Sequence, residues 1–195
     1  DDKRAKLKAR QGIPYIGLGE LTVVDDKMRQ VPKDGLTMGE VLMRGNGVML
    51  GYYKDEEATA QAFHGGWFHT GDLAVWHADG YIELKDRQKD IIISGGENIS
   101  SVEVERVLLE HPSVLEAAVI GIPDRKWGEV PKAFITVQPG ECVSVEELQT
   151  FCRKRLAHFK CPKEIEFCEL PKTNTGKVQK HLLREKEREK QLNTN

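Results

Sequence analysis

The sequence has few cysteines, and neither its cysteines nor its histidines have the spacing of metal ligands. No two of the four cysteines form a Cys-x-x-Cys pair, and the six histidines contain no His-x-x-x-His pair. Zinc ligation is therefore not expected, and we predict no metal site in this chain. We expect the cysteines to be reduced thiols that fill small spaces in a core. They are Cys142, Cys152, Cys161 and Cys168.

The sequence also lacks a large net charge and long apolar runs. The 29 basic and 31 acidic side chains leave a net charge of -2, so a nucleic-acid partner is not expected. Apolar stretches such as Ala117–Ile120 are strand-sized, far below the roughly 18 residues of a membrane span. With no secretion, transit or peroxisomal signal recognised, a cytoplasmic location is expected. The charged, helix-like start Asp1–Arg10, without an initiating Met, predicts that the chain begins inside a longer protein.

The pattern of predicted secondary structure changes near Asp86. Before that point, short alternating or β-rich runs are separated by Gly and Asp turns, which predicts antiparallel strands in a small barrel or sheet. One helix is predicted near Lys54–Phe63, with Asp55 as its N-cap. The predicted strands are Leu21–Val24, Glu40–Met43, Leu73–Trp76 and Tyr81–Leu84.

From Lys89 onward, strands and helices alternate. The capping boxes Ser100-x-x-Glu103 and Ser144-x-x-Glu147 each predict the start of a helix. The charged end, Lys180–Gln191, predicts a solvated helix that frays. The predicted fold class is α+β: a small antiparallel β-rich subdomain at residues 1–88, then a compact domain of a few strands packed with helices at residues 89–195. Strands in the second domain are expected at Ile91–Ile93, Val114–Ile120, Ala133–Val137 and Ile165–Phe167.

Two polar segments in the first region can carry chemistry, although each also has an ordinary structural explanation. The segment Gly65–Asp72 ends in an acid after a Gly turn. Asp72 can accept two hydrogen bonds from a ribose diol, or the turn can simply cap itself. The segment Asp86–Asp90 lies between the two regions, where it can be an exposed turn or a hinge.

Two more segments lie in the second region. Ser94–Asn98 stands between a predicted strand and a predicted helix. Its glycines can let a ligand approach the backbone beside free N–H groups of the helix start, or they can form a plain tight turn. Pro171–Lys177 ends in a Gly-Lys pair, but Val178 follows where a Walker loop needs Ser or Thr. It is either a polar loop that brings Lys177 to a carboxylate or phosphate, or a surface loop with ordinary lysines.

In this order and spacing, the four segments resemble the later motifs of the adenylate-forming superfamily of acyl-CoA synthetases, carrier-protein adenylation domains and luciferases. The resemblance runs over nearly the whole chain. Gly121–Asp124 and Trp127–Glu129 are similar to the acyl-CoA synthetase branch. Two positions depart from the pattern: His69 stands where many relatives have Arg, and Ile93 stands where luciferases often have Lys.

The resemblance implies the C-terminal portion of an ATP-dependent carboxylic acid (fatty acid) CoA ligase, which forms an acyl-adenylate and then an acyl-CoA thioester. Asp72 and Arg87 would hold the ribose hydroxyls of ATP, Lys89 would be the hinge of a mobile C-terminal domain, and Lys177 would contact the carboxylate and the α-phosphate. After rotation, the pantetheine tunnel of coenzyme A would be lined by Ser94, Gly95, Gly96 and Glu97.

The resemblance also implies groups that this chain does not contain. The phosphate loop, the acyl pocket and the acid that binds Mg²⁺ are expected upstream of Asp1, in the large N-terminal domain of the same parent protein. The acyl substrate is therefore open, and we expect the fragment alone to be inactive. Two alternatives remain at this point: an adenylation domain that loads a carrier protein, and a non-catalytic interaction module.

Overall fold

The computed structural model describes residues 19–192 together with residues 4, 7, 8, 10, 12, 13 and 17. The chain divides into two compact units, Asp1–Lys89 and Asp90–Asn195; the sequence placed the boundary one residue earlier. Most of the helix-like stretch expected at Asp1–Arg10 lies outside the described residues. Within the described part of the chain, every helix is too short or too polar to cross a membrane.

The first unit is built on an antiparallel meander. Strands β1 (Glu20–Val24), β2 (Met38–Arg44), β3 (Phe68–Trp76) and β4 (Ile82–Arg87) pair in that order. This confirms the expected antiparallel β-rich subdomain, as a sheet rather than a barrel. Apolar side chains at alternating positions form its core because successive residues of a strand point to opposite faces. The buried members are Val23, Val31, Val41, Ala74, Trp76 and Ile82.

The ends of two elements in this unit were predicted with different success. Helix α1 (Glu56–Ala62) begins at the predicted cap, where Asp55 Oδ1 accepts a hydrogen bond from the Ala58 N–H at 2.9 Å. Strand β4 continues past its predicted end as far as Arg87, which pairs with Asp72 of β3. The interpretation of Asp86 and Arg87 as an exposed turn is wrong, since cross-strand pairing outweighs the weak β-propensity of charged residues.

The second unit is a sheet covered by helices on both faces, as the predicted α+β class requires. Strands β7 (Val114–Asp124) and β8 (Gly128–Val137) form a long antiparallel hairpin. The short strands β5 (Ile92–Ser94) and β9 (Glu164–Phe167) both pair with β8, β5 antiparallel and β9 parallel. Strand β6 (Glu97–Ile99), which the sequence analysis did not predict, pairs with β5.

Helices α2 (Ser101–Leu109) and α3 (Val145–Arg153) cover one face of this sheet. Both predicted capping serines accept a hydrogen bond from the N–H three residues later, at 3.2 Å for Ser100 and 3.1 Å for Ser144. Each helix therefore starts where its sequence signal lies. The core on this side includes Ile92, Val104, Leu108, Val119, Ile135, Leu148 and Cys152.

Helix α4 (Lys180–Leu192) covers the opposite face. Its Leu183 is buried in a cluster with Ile120 and Phe134, and its Glu187 is buried as well. The description of this segment as a solvated helix is therefore wrong for one of its faces. This buried face leaves little trace in the sequence, because the helix buries one Leu and one paired Glu among many exposed Lys, Arg and Glu side chains.

The cysteines are all free thiols. Cys152 and Cys161 fill the core beneath α2 and α3 as expected, and Cys168 is partly buried. Cys142 is exposed, so the core-filling interpretation is wrong at that position.

Candidate functional site

A β-bulge in β3 sets Asp72 beside Arg87. Leu42 of β2 pairs with His69, whereas Glu40 pairs with Leu73, so three residues of β3 lie opposite one residue of β2. Such a bulge bends the strand and redirects its side chains. The Asp72 Oδ1 atom lies 3.1 Å from Arg87 Nε, and the two side chains remain 28% and 60% exposed. A carboxylate and a guanidinium are therefore presented together to solvent.

The bulge is held in place by hydrogen bonds from β2. Glu40 Oε1 accepts a hydrogen bond from the Gly71 N–H at 3.0 Å, and Glu40 Oε2 lies 2.9 Å from His69 Nδ1. The Thr70 hydroxyl donates to the carbonyl of Val41 at 2.7 Å and accepts from the Asp72 N–H at 3.1 Å. The Thr-Gly-Asp turn does cap itself, as the structural explanation proposed, and that capping is what orients Asp72.

Glu40 is a supporting residue that the sequence analysis did not identify. The signal that could have pointed to Glu40 is an acid within an apolar strand, opposite a Gly turn on the next strand. The resemblance implied Arg at position 69; His69, like an arginine, can donate a hydrogen bond to the Glu40 carboxylate.

The Gly95-Gly96 segment is the tip of a β-hairpin. Ser94 of β5 pairs with Glu97 of β6, and the two glycines between them have φ values of +60° and +87°. Two consecutive positive φ angles characterise the type I′ turn, which favours glycine at both positions. The expectation that this loop opens directly onto free N–H groups of a helix is wrong, because β6 and the capping residue Ser100 intervene.

The hairpin tip rests on Trp127. The Gly95 N–H donates to the Trp127 carbonyl at 2.8 Å, and a Cβ on Gly95 would lie 2.9 Å from the indole Cε3 atom. The base of the hairpin is fixed too, since Glu129 Oε2 accepts a hydrogen bond from the Ile93 N–H at 3.1 Å. The resemblance singled out Trp127 and Glu129 only as residues similar to the acyl-CoA synthetase branch; in the structure they support the glycine turn.

Lys177 stands at the end of a tight, hydrogen-bonded turn. Lys172 and Val178 form an antiparallel bridge, and the Thr173 N–H donates to the Lys177 carbonyl at 2.9 Å. The Thr173 hydroxyl accepts from the Lys177 N–H at 3.2 Å. The Lys177 side chain is exposed, so the turn displays the Lys177 ammonium group three residues before α4 begins.

The start of α4 is attached to the helix that follows the glycine hairpin. Lys180 donates to the Ser101 hydroxyl and pairs with Glu105 of α2, both at 2.7 Å. The second unit therefore joins the Lys177 turn and the Gly95-Gly96 hairpin through α2 and α4. The structure brings Asp72 and Arg87 together in the first unit, and Lys89 is that unit's last residue.

Within residues 19–192 and the few described residues before them, no three His, Cys, Asp or Glu side chains come together in a way that could hold an ion. That the Mg²⁺ ligands lie upstream of Asp1 stays a prediction.

Comparison with known sequences finds a matching family model and similar CoA ligases. The model of the family described as "AMP-binding enzyme C-terminal domain" matches residues 103–177. An acetate–CoA ligase, CCL3, from Humulus lupulus is 56% identical over 193 residues, which cover 96% of this chain and 34% of that protein. A 4-hydroxybutyrate–CoA ligase from Metallosphaera sedula is 56% identical over 183 residues, covering 94% of this chain and 33% of that protein. The chain thus spans about a third of the length of these relatives.

Solved structures agree in fold. The o-succinylbenzoate CoA synthetase MenE from Bacillus subtilis, solved with the acyl-adenylate intermediate OSB-AMP, matches with a TM-score of 0.83 at 36% identity; the match covers 93% of this chain and 37% of that one. The amide bond synthetase McbA from Marinactinospora thermotolerans matches with a TM-score of 0.82 at 38% identity, over 94% of this chain and 37% of that one.

Proposed function

Because the chain belongs to the adenylate-forming family, in its acyl-CoA synthetase branch, we propose that it is the C-terminal part of a ligase that joins a carboxylic acid to coenzyme A at the expense of ATP. The observation that carries the proposal is the Asp72–Arg87 pair, whose Arg87 lies two residues before Lys89, the last residue of the first unit. A paired carboxylate and guanidinium offer both an acceptor and donors to the two hydroxyls of a ribose.

In the first step, a carboxylate oxygen of the acid attacks the α-phosphorus of ATP. A new P–O bond forms, the bond to the β-phosphate oxygen breaks, and pyrophosphate leaves with the electron pair. Asp72 and Arg87 hold the ribose. Lys177 brings its ammonium group to the carboxylate and the α-phosphate, where its positive charge offsets the repulsion between these two anionic groups. Mg²⁺, when bound by groups outside this chain, supplies neutralisation of the phosphate charge.

In the second step, the unit that begins at Asp90 rotates about Lys89. The Lys177 turn leaves, and the hairpin Ser94–Glu97 takes its place beside the adenylate. The thiolate of coenzyme A attacks the acyl carbonyl, a C–S bond forms, and AMP leaves with the electrons of the broken C–O bond. The tip at Gly95 and Gly96 carries no side chain, which leaves room for the pantetheine arm to pass close to the backbone.

The acid substrate is set outside this chain. Relatives bear the names acetate, acetate/butyrate, 4-hydroxybutyrate and trans-cinnamate CoA ligases, so those acids form a sensible first panel. Two of these relatives are named as peroxisomal. We propose a cytoplasmic location, and imaging of the complete protein beside a peroxisomal marker tests it.

The decisive experiment uses the complete parent protein. Acid-dependent ATP–pyrophosphate exchange measures the first step, and release of AMP with formation of a thioester on addition of coenzyme A measures the second. Both are expected. No exchange with any acid of the panel would favour the non-catalytic module. Exchange without a thioester would favour a different acceptor, such as a carrier protein.

An amine is a further acceptor to include in that experiment, because McbA is named an amide bond synthetase and matches this chain closely in fold. The isolated chain of residues 1–195 is expected to give little or no thioester, since positioning supplies much of the rate in such reactions and most positioning groups lie elsewhere. Turnover by the isolated chain would contradict this expectation.

A further inference from the structure

The first residue of the second unit is joined to the C-terminal helix by an ion pair. Arg184 Nη2 lies 2.5 Å from Asp90 Oδ1, and the two side chains are only 22% and 12% exposed. The partners are 94 positions apart in the sequence. A charge-assisted hydrogen bond at this level of burial is less screened by solvent than the exposed ion pairs of the surface, so it restricts its partners more strongly.

Successive turns of α4 are attached to three different elements of the same unit. Lys180 pairs with Glu105 of α2, Arg184 pairs with Asp90, and Glu187 accepts a hydrogen bond from the buried Lys132 of β8 at 2.8 Å. Residues 180, 184 and 187 share one face of a helix because they are three or four positions apart. This face gives α4 a fixed place from its first turn to its third.

The proposed hinge and the proposed catalytic lysine lie at the two ends of this connection. Lys89 directly precedes Asp90, and Lys177 precedes the first residue of α4 by three positions. On the basis of the function proposed above, we propose that Asp90 and Arg184 are positioning residues: their ion pair ends the hinge at Asp90 and transmits its rotation to the Lys177 turn.

The physical reason is the short backbone segment between Asp90 and the core. Ile92 is fully buried, so the core itself holds the chain only from that residue onward. With Asp90 attached to α4, the change in dihedral angles is confined to the residues before it. Without the ion pair, residues 90 and 91 can also turn, and the same rotation then delivers Lys177 along a range of paths instead of one.

The experiment uses the complete parent enzyme and four variants. Arg184→Gln and Asp90→Asn each remove one charge, and the double variant Asp90→Arg with Arg184→Asp restores a pair with reversed charges. Arg188→Gln is the matched control, because Arg188 lies one turn further along α4 and is exposed. The measurements are ATP–pyrophosphate exchange, single-turnover thioester formation, kcat and KM for ATP, and the thermal unfolding temperature.

In each single variant, kcat and the rates of both steps are expected to fall roughly tenfold or more, the scale of a small misplacement of a catalytic group. KM for ATP should stay within about twofold, because the proposed ribose-binding pair lies in the first unit. Loss of folded enzyme would also lower the apparent kcat and leave KM unchanged, so kcat is referred to the concentration of folded enzyme, which the thermal unfolding measurement checks. The reversed pair should recover most of the lost kcat, and Arg188→Gln should behave like the wild type.

The inference is overturned if the single variants match Arg188→Gln, or if the reversed pair folds with the wild-type unfolding temperature and is as slow as the single variants. If Arg184→Gln does not fold, the test uses Asp90→Asn, which keeps an acceptor for the guanidinium. A kcat equal to that of Arg188→Gln then overturns the inference. Failure of all three to fold would assign the pair to stability alone and also overturn the inference. Absence of exchange in the wild type would instead overturn the proposed function itself.

Discussion

Asp72 and Arg87 occupy directly opposed positions on β3 and β4, and their charged groups approach to 3.1 Å at the sheet end nearest the unit boundary. Neither side chain is needed to fill a core, since both remain partly exposed. An arrangement that keeps opposite charges together and open to solvent is suited to a polar ligand with neighbouring hydroxyl groups.

We therefore predict that Asp72→Asn in the complete enzyme raises KM for ATP by roughly tenfold or more. A hydrogen bond to a charged group contributes about 1.5–3 kcal/mol, and 1.4 kcal/mol corresponds to a factor of ten. Initial-rate kinetics at varied ATP measure the effect. Glu20→Gln, which removes the partner of Arg44 in an exposed pair of the same sheet, is the control. An unchanged KM for ATP in Asp72→Asn would remove the residue from the nucleotide site.

For Lys177→Ala, we predict that single-turnover formation of the acyl-adenylate slows by roughly 10²-fold, the scale of losing one group that stabilises developing charge. Thioester formation from preformed acyl-adenylate should change much less, because the proposed rotation has already removed this lysine. Lys172→Ala is the matched control in the same turn, since its ammonium group pairs with Glu116. Equal slowing of both steps, or of both variants, would argue against the assigned role.

The glycine hairpin gives a prediction with the opposite pattern. Gly95→Ala should slow thioester formation by roughly tenfold and leave adenylation nearly unchanged, because its Cβ would stand 2.9 Å from the Trp127 indole and displace the tip or the ring. Stopped-flow measurement of each half-reaction separates the two. Gly140→Ala controls for backbone strain alone, as Gly140 has a φ of +83° but no neighbour within 4 Å of a Cβ. If Gly140→Ala slows the thioester step equally, the steric explanation is wrong.

The sequence predicted the elements whose signals are local. Asp55, Ser100 and Ser144 each cap the helix they were expected to cap, because the cap and its N–H partner lie three residues apart. One local signal was nevertheless not recognised. Strand β6 was missed although Gly95-Gly96 between two short β runs is itself a hairpin signal.

Strands β7 and β8 extend through Pro123 and Pro131, residues that normally mark strand ends. The contrast between local and long-range signals also applies to the residues of the site. Asp72, Arg87 and Lys177 could be proposed from motifs, whereas the residues that hold them could not. Glu40 contacts Gly71 from another strand, and Asp90 contacts Arg184 from the far end of the chain. Supporting contacts of this kind depend on the fold and leave no fixed spacing in the sequence.

A cluster of charges holds α4 on the sheet and carries the last prediction. Lys132 of β8 is buried and contacts Glu187 of α4 at 2.8 Å and Glu166 of β9 at 3.2 Å. Burial by itself raises the pKa of Glu166, but hydrogen bonds from Lys186, Lys190 and Lys132 outweigh it and lower the pKa from 4.5 to about 2. The charged form of Glu166 is therefore favoured by folding.

A carboxyl group whose pKa is lower in the folded state contributes stability that is fully present above the pKa of the unfolded chain and is lost as the pH falls through the folded pKa. We predict that Glu166→Gln lowers the thermal unfolding temperature at pH 7, and that its difference from the wild type shrinks between pH 4.5 and 2 as Glu166 becomes protonated. Circular dichroism at several pH values measures both. Glu185→Gln, at an exposed position of α4, should show little difference at any pH. A constant difference for Glu166→Gln down to about pH 2 would mean that the glutamate stabilises the sheet by packing, since only its charge is removed over that interval.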